Sequence, residues 1–377
     1  MPNLNEKLDN NKIDLELKNI GPIKEAKLDI SGLSVIAGEN DSGKSTVGKA
    51  LVATIKALNV ASYQEHKNRT FNYKKNKKDA SYSIVVASAF NNKFMRPLFE
   101  NQISKNGSIS LKQIDCSVTF PIVENECKTL EKQGNKKISL WDCTMIQTPF
   151  VWDWYDFFDS LGKKERKEIE QIEERQKRIF YPFLMKNVFD LLEKKLNDAD
   201  IQIQYIIDSI SEIIGGTLVK PENKNFKFRK KNNEEYIDIA LKNVATGIKF
   251  FGLIQILLRN GHARKNKLLI FDEPENHLHP AWQIKLAEIF VRLSGEAQIP
   301  IIVNTHSPYI IEAIDKYGRK YEKEFGRQFV NFYFADKNKK IIEKIKNDNS
   351  ATLEQIYKAL EKPFDVLAEL DYKNMEY

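Results

Sequence analysis

The residues GENDSGKS at positions 38–45 constrain this chain more than any other part of its sequence. They match the pattern G-x-x-x-x-G-K-[ST] at every fixed position, between an apolar run at 33–37 and a helical pattern at 44–58. In such a strand–turn–helix unit the glycines let backbone N–H groups fold around oxygen atoms, and the positive end of the helix faces the same point. The sequence therefore predicts a phosphate-binding turn. Its members are Gly38, Asn40, Asp41, Ser42, Gly43, Lys44, Ser45 and Thr46.

A second motif, LLIFDEP at 268–274, supplies the acids that such a turn requires. Four apolar residues indicate a buried strand, and Asp272 follows at its end. We expect Lys44 to neutralise β- and γ-phosphate charge, while Ser45 and Asp272 hold Mg²⁺, the latter through water. Glu273 is then placed to orient and deprotonate an attacking water molecule.

His306 lies just past a third predicted buried strand, at 301–304, with Thr305 between them. Ligands gather at the carboxyl ends of parallel strands, so this side chain is predicted to sense the γ-phosphate. His277 and His279 are separated by one residue, which leaves open a metal-binding interpretation. However, the following Pro280 begins a helix, and no further His or Cys is close in the sequence.

Strand and helix patterns alternate in the closing part of the chain, which is typical of a parallel α/β sheet. Short alternating strands are predicted at 13–17 and 23–28. We predict an ATPase-type core from residues 1–60 and 215–345, a mixed insertion at 61–150, a helical lobe at 151–214 and a helical tail at 346–377. The mixed insertion includes a helical pattern at 81–103 and one alternating strand at 108–120.

Composition bounds the environment of the chain rather than its chemistry. No apolar run approaches the roughly 20 residues of a membrane span, and the first ten residues are polar, so we expect a cytoplasmic protein. Cys116, Cys127 and Cys143 fit no zinc or redox spacing and are expected to be buried. The net charge of +7 permits nucleic-acid contact, although the basic clusters are scattered and solvated loops are the alternative.

These motifs together resemble the ABC-type ATPase heads of the RecF, SMC and OLD (overcoming lysogenization defect) group. The segments DEPENHLHP at 272–280 and NTHSP at 304–308 are most similar to the OLD-type branch of AAA-type ATP-binding proteins. The resemblance implies a P-loop NTPase fold with a mixed or parallel sheet, an N-terminal antiparallel β part and a helical insertion lobe. It also implies that NVATGIK at 243–249 is the signature loop, in which Thr246 and Gly247 cap ATP bound to another subunit. Gln147 is the candidate that joins Mg²⁺ to the lobe.

The same resemblance implies function and partners. It implies an ATPase that binds ATP and Mg²⁺ and forms a homodimer around ATP. Full-length OLD proteins carry a Toprim nuclease, but no late Glu strand pairs with an Asp-x-Asp strand after His306. The Asp-x-Asp at 198–200 lies upstream, so we expect no nuclease activity from this chain. We expect it to regulate a separately encoded nuclease or toxin in anti-phage defence. The alternatives are a RecF-like DNA-repair ATPase and, least favoured, a transporter subunit.

Overall fold

A computed structural model describes most of the chain. The described residues are 12–69, 78–100, 102–140, 142–147, 149–168, 182–196, 203–221, 225–232, 235–345, 353–354 and 356–358. Among the helices within these ranges, none combines the length and the apolar character needed to cross a membrane.

The described residues form two sheets. The strands are β1 (Ile13–Ile20), β2 (Ile23–Asp29), β3 (Leu33–Ala37), β4 (Asn106–Gln113), β5 (Cys116–Val123), β6 (Glu131–Gln133), β7 (Asp142–Ile146), β8 (Gly216–Val219), β9 (Lys227–Asn232), β10 (Glu235–Ala240), β11 (Lys267–Asp272), β12 (Ile301–Thr305), β13 (Val330–Asp336) and β14 (Ile341–Lys344). The large sheet has the order β6-β5-β4-β1-β2-β14-β13-β3-β12-β11-β7, and β10-β9-β8 form a small antiparallel sheet.

Helices connect and cover these strands. They are α1 (Lys44–Arg69), α2 (Lys78–Ala89), α3 (Arg96–Phe99), α4 (Tyr155–Glu168), α5 (Phe183–Glu193), α6 (Gln204–Ile214), α7 (Thr246–Arg259), α8 (Pro280–Gly295) and α9 (Pro308–Phe325), with a π-helix at Phe90–Met95 and 3₁₀ turns at Pro149–Trp152 and Leu241–Asn243.

The centre of the large sheet is parallel and buried on both faces. Strands β7, β11, β12, β3 and β13 run in the same direction, and every residue of β3, β11 and β12 is buried. Val35 packs in a cluster with α7, α8, α9 and the helical lobe, whereas the adjacent Ile36 packs in a cluster with α1 and the N-terminal strands. Two covered faces explain why these strands read as continuous apolar runs.

Helix α1 approaches the sheet closely because of a glycine. A Cβ atom at Gly48 would lie 2.9 Å from the sulfur of Met145 and 3.2 Å from Ile270. The first turn of α1 is therefore held over the carboxyl ends of β7 and β11, next to β3. This places the turn at 38–45 beside the acids that follow β11.

The predicted fold class is confirmed. The chain is an α/β protein whose mixed sheet has a parallel centre, an antiparallel N-terminal part and a helical lobe on one face. The strands predicted at 13–17, 23–28, 33–37, 268–271 and 301–304 are present, and all three cysteines are buried.

One detail of the sequence interpretation was wrong. The strand predicted at 108–120 is a pair, β4 and β5, because Asp115 adopts a left-handed φ of 63° and reverses the chain. Strand β14, whose Ile341 and Ile342 pair with β2, ends before the predicted tail at 346–377 begins.

The domain boundaries stay a prediction. Some of the residues that they include lie outside the described ranges. Strand β7, assigned above to the insertion at 61–150, pairs with β11 in the central sheet. Residues 198–200 lie outside the described ranges, as do 169–181 and nearly all of 346–377.

Candidate nucleotide site

The turn predicted to bind phosphate lies at the carboxyl edge of the parallel strands, between β3 and α1. Gly43 adopts a φ of 91°, and a Cβ atom there would lie 2.7 Å from Ile23. The turn therefore needs glycine at this position both for its conformation and for space. Asn40 and Asp41 are exposed, whereas Ser42 is buried.

Lys44 is buried within this turn. Its Nζ donates to the carbonyl oxygens of Gly38 at 2.8 Å and Glu39 at 2.7 Å. Burial lowers the pKa of the Lys44 ammonium, and the carboxylates of Glu273, Glu275, Asp272 and Glu39 oppose that shift. A desolvated cation beside this turn can interact strongly with an anionic ligand, because little water has to be displaced.

Asp272 connects three other parts of the site. Its Oδ1 accepts hydrogen bonds from Ser45 Oγ at 3.0 Å and from Asn304 Nδ2 at 2.8 Å. Its Oδ2 accepts from Gln147 Nε2 at 3.2 Å. The sequence-predicted metal residues Ser45, Asp272 and Gln147 are therefore brought together, although they are far apart in the chain.

The sequence motifs predict no separate role for Asn304. It is completely buried at the end of β12, and its Nδ2 also donates to the backbone oxygen of Lys44 at 3.1 Å. One amide therefore links the start of α1 to Asp272, the last residue of β11. The sequence feature that could have indicated a role is its position. Asn304 lies near the carboxyl end of a predicted buried strand, and ligands bind at that edge of a parallel sheet.

Glu273 and Glu275 differ sharply in environment. Glu273 has a left-handed φ of 51°, its N–H donates to the Asn304 carbonyl at 2.8 Å, and its side chain is 33% exposed. Glu275 has a side chain only 5% exposed. Asn276 Nδ2 contacts Glu273 Oε2 at 3.2 Å. Of the two carboxylates, Glu273 is the one that solvent can reach.

His306 lies beside both carboxylates. Its Nδ1 is 3.2 Å from Glu275 Oε1 and 3.7 Å from Glu273 Oε1, and its side chain is 40% exposed. The structure therefore places the predicted γ-phosphate sensor next to the predicted base, at the mouth of the site.

Unsatisfied buried polar atoms concentrate here. Among the described residues, six buried side-chain N or O atoms lack a hydrogen-bond partner, and four belong to Ser42, Asn304, Glu275 and His306. Buried polar atoms are normally satisfied, so such a concentration marks a place that suits a polar ligand.

Groups of three or more His, Cys, Asp or Glu that could hold a metal do not occur in the described ranges. Hydroxyl and carboxylate oxygens as in Ser45 and Asp272 suit Mg²⁺, which keeps several waters and binds phosphate oxygens.

The predicted signature residues lie at the start of α7. The N-cap is Ala245, which offers no side-chain acceptor, and Thr246 is the first helical residue. Gly247 is buried, and a Cβ atom there would lie 3.0 Å from Trp282 and 3.1 Å from Leu278. The role of Thr246 and Gly247 toward a second subunit stays a prediction.

His277 and His279 have separate contacts. The ring of His277 lies 5.9 Å from that of Phe150, and the residue adopts a left-handed φ of 67°. His279 is the N-cap of α8, where its Nδ1 accepts from the Ala281 N–H. These contacts favour structural roles over the metal-binding interpretation.

Comparison with known proteins gives one family match. Residues 146–312 match the family model described as "AAA domain, putative AbiEii toxin, Type IV TA system". This region includes Gln147, Asp272, Glu273 and His306, and it excludes the turn at 38–45. No curated protein matches the chain.

Solved structures of ATPase heads are similar in general arrangement. An Smc head bound to the C-winged helix domain of ScpA is 12% identical, with 88% of this chain and 96% of that chain covered and a TM-score of 0.47. The SMC head domain from Thermotoga maritima is 12% identical, with coverages of 90% and 100% and a TM-score of 0.43. CbiO1 from Clostridium perfringens, part of the ABC transporter complex cbiONQ, is 12% identical, with coverages of 95% and 98% and a TM-score of 0.37. At this similarity these structures carry no information on function.

Proposed function

We propose that this chain binds ATP with Mg²⁺ and hydrolyses it. The observation that carries the proposal is the convergence of Lys44, Ser45 and Asp272 at one edge of the sheet, where four buried polar atoms lack partners. A glycine turn, a buried lysine and a strand-end aspartate form the combination that a magnesium–triphosphate requires.

Each residue has a separate proposed role. Lys44 leaves its backbone partners to contact the phosphates, with the N–H groups of residues 38–46 around them. Ser45, Asp272 and Gln147 would hold Mg²⁺, which supplies charge neutralisation on the phosphate oxygens. Glu273 orients and deprotonates water, since its carboxylate is the accessible one. His306 contacts the γ-phosphate.

We further propose that two copies of the chain close around ATP. The first turn of α7 has no side-chain cap, so its N–H groups remain available to an anion on a second subunit. A contact in which each copy caps the nucleotide of the other is isologous and gives a two-fold homodimer. Thr246 and Gly247 are the residues that would make it.

The proposed biological role is control of a separately encoded effector, a toxin or nuclease, in bacterial defence. The description of the matching family, a putative AbiEii toxin of a type IV toxin–antitoxin system, supports this setting. A DNA-binding ATPase of the RecF type is the second candidate. The exposed Lys230 and Lys231 on β9, beside the 67% exposed Tyr236 on β10, favour it.

Glu273→Gln tests the ATPase proposal. The variant is expected to bind ATP normally and to release phosphate about 10²- to 10⁴-fold more slowly, because it lacks the general base. Light scattering in ATP and Mg²⁺ should show a mass near twice that of the chain. Phosphate release at the wild-type rate would remove Glu273 as the base, and a monomer would contradict the ATP-dependent dimer.

A further inference from the structure

Glu275 is a buried carboxylate to which the reaction above assigns no role. Its Oε1 accepts hydrogen bonds from Thr305 Oγ1 at 2.7 Å, from His306 N–H at 2.8 Å and from Ser307 N–H at 3.2 Å. One oxygen atom therefore gathers donors from three consecutive residues of the turn between β12 and α9.

These bonds leave the turn little freedom. Hydrogen bonds to an ionised carboxylate are about twice as strong as neutral ones. The Ser307 N–H also contacts Thr305 Oγ1 at 3.0 Å, and Ser307 Oγ caps α9 by accepting from the Ile310 N–H. Ser307 Oγ also bonds to Gln283 on α8. The hydrogen bonds that begin at Glu275 thus hold the backbone on both sides of His306.

The imidazole of His306 has less support of its own. Its side chain is 40% exposed, and its Nδ1 makes no hydrogen bond although it lies 3.2 Å from Glu275 Oε1. The position of the ring therefore follows from the position of the backbone that carries it.

We propose that Glu275 is a positioning residue for hydrolysis. It holds residues 305–307 so that the His306 imidazole stands beside the Glu273 carboxylate, and it acts on the reaction only through His306. This inference rests on the proposed ATPase function. The low exposure of Glu275 separates it from Glu273, because a residue that activates water must be reached by water.

The test compares kcat and KM for ATP in Glu275→Ala, Glu275→Gln and His306→Ala. Glu275→Ala removes the acceptor and is expected to lower kcat about 10- to 100-fold with little change in KM, as expected for a misplaced catalytic group. Glu275→Gln keeps an oxygen acceptor and should restore most of kcat. If the alanine variant does not fold, Glu275→Asp, which retracts the carboxylate by one methylene, is expected to lower kcat in its place.

The decisive measurement is the double variant. If Glu275 acts through His306, adding Glu275→Ala to His306→Ala lowers kcat no further. An equal loss in both backgrounds would overturn the proposal, as would a Glu275→Gln variant that is as slow as Glu275→Ala.

Glu322 provides a matched control. Its Oε1 accepts from the N–H groups of Phe329 and Val330, both at 2.8 Å, so it holds a backbone turn in the same way at the other end of α9. Glu322→Ala should leave kcat unchanged.

Hydrogen exchange of individual amides separates this inference from the ATPase proposal. Glu275→Ala should speed exchange of the His306 and Ser307 amides, and Glu322→Ala should speed only those of Phe329 and Val330. If the wild-type chain releases no phosphate, the ATPase proposal fails. Amide exchange then still reports whether Glu275 holds residues 305–307. Unchanged protection of His306 and Ser307 in Glu275→Ala would overturn the positioning role.

Discussion

At the amino ends of β7 and β11 lie Asp142 and Lys267, and at the carboxyl end of each strand lie Gln147 and Asp272. Both ends carry buried or half-buried polar groups, but the groups are satisfied in different ways. At the amino end, Lys56 Nζ contacts Asp142 Oδ1 at 2.9 Å, and Lys267 Nζ lies 3.7 Å from Asp142 Oδ2.

The polar groups of the amino-end cluster bond to one another and to nearby backbone. His262 Nδ1 accepts from Lys267 Nζ at 3.3 Å, and its Nε2 bonds to the carbonyl of Lys194. At the carboxyl end, four acids surround the single Lys44, and several buried atoms have no partner. The same strands therefore end in a structural cluster on one side and in a candidate ligand site on the other. Unsatisfied polar atoms, rather than polarity itself, distinguish the two.

Lys44→Ala should show the largest effect. We expect ATP binding to disappear, a loss of at least about 3 kcal/mol of binding free energy, because a buried charge contact to phosphate is removed. Titration with a fluorescent ATP analogue measures this. Lys56→Ala, on the same helix but in the amino-end cluster, is the matched control and should bind ATP normally. Unchanged affinity in Lys44→Ala would remove the phosphate-site assignment.

Asp142→Asn should lower the stability of the chain without changing its affinity for ATP. Two cations would lose their charged partner at the amino end, and we expect the free energy of unfolding to fall by about 1–3 kcal/mol. ATP affinity should not change, since the site lies at the opposite end of the strands. Urea denaturation of wild type and variant provides the measurement. If ATP affinity fell along with stability, the two clusters would be energetically coupled and not independent.

The smallest expected effect concerns pH. Burial lowers the pKa of His262, and the nearby Lys267 and Lys194 act in the same direction, while the bond to the Lys194 carbonyl opposes them. The unfolded chain then binds a proton more readily than the folded one. The stabilisation from neutral His262 is therefore fully present above about pH 6.5 and is lost as pH falls toward the folded pKa.

His262→Gln should flatten this dependence. Unfolding free energies of wild type and variant, measured from pH 8 to about pH 5, are expected to converge as pH falls. His277→Asn, which replaces an exposed histidine at a left-handed position, controls for the loss of a histidine. A constant difference between wild type and His262→Gln across this range would contradict the assignment.

Much of the site followed from sequence because it is built from contiguous motifs. Lys44 and Ser45 stand in one turn, and Asp272 and Glu273 end one strand, so strand direction alone predicts that they meet. Gln147 belongs to neither motif, and its side-chain amide donates to Asp272 in the structure.

The remaining parts of the site depend on contacts between residues that are far apart in the sequence. Asn304 joins Asp272 to the start of α1, and Glu275 holds the turn before α9, yet neither forms a spacing pattern with its partners. The pairing of β7 with β11 could not be predicted either. Nothing in the sequence between 61 and 150 shows which strand returns to the central sheet.

The most direct test is a crystal structure of Glu273→Gln with ATP and Mg²⁺. We expect a triphosphate within the turn at 38–45, Lys44 Nζ on its β- and γ-phosphate oxygens, and Mg²⁺ bound by Ser45 Oγ beside Asp272. A nucleotide bound elsewhere, with Lys44 still bonded to the Gly38 and Glu39 carbonyls, would contradict it.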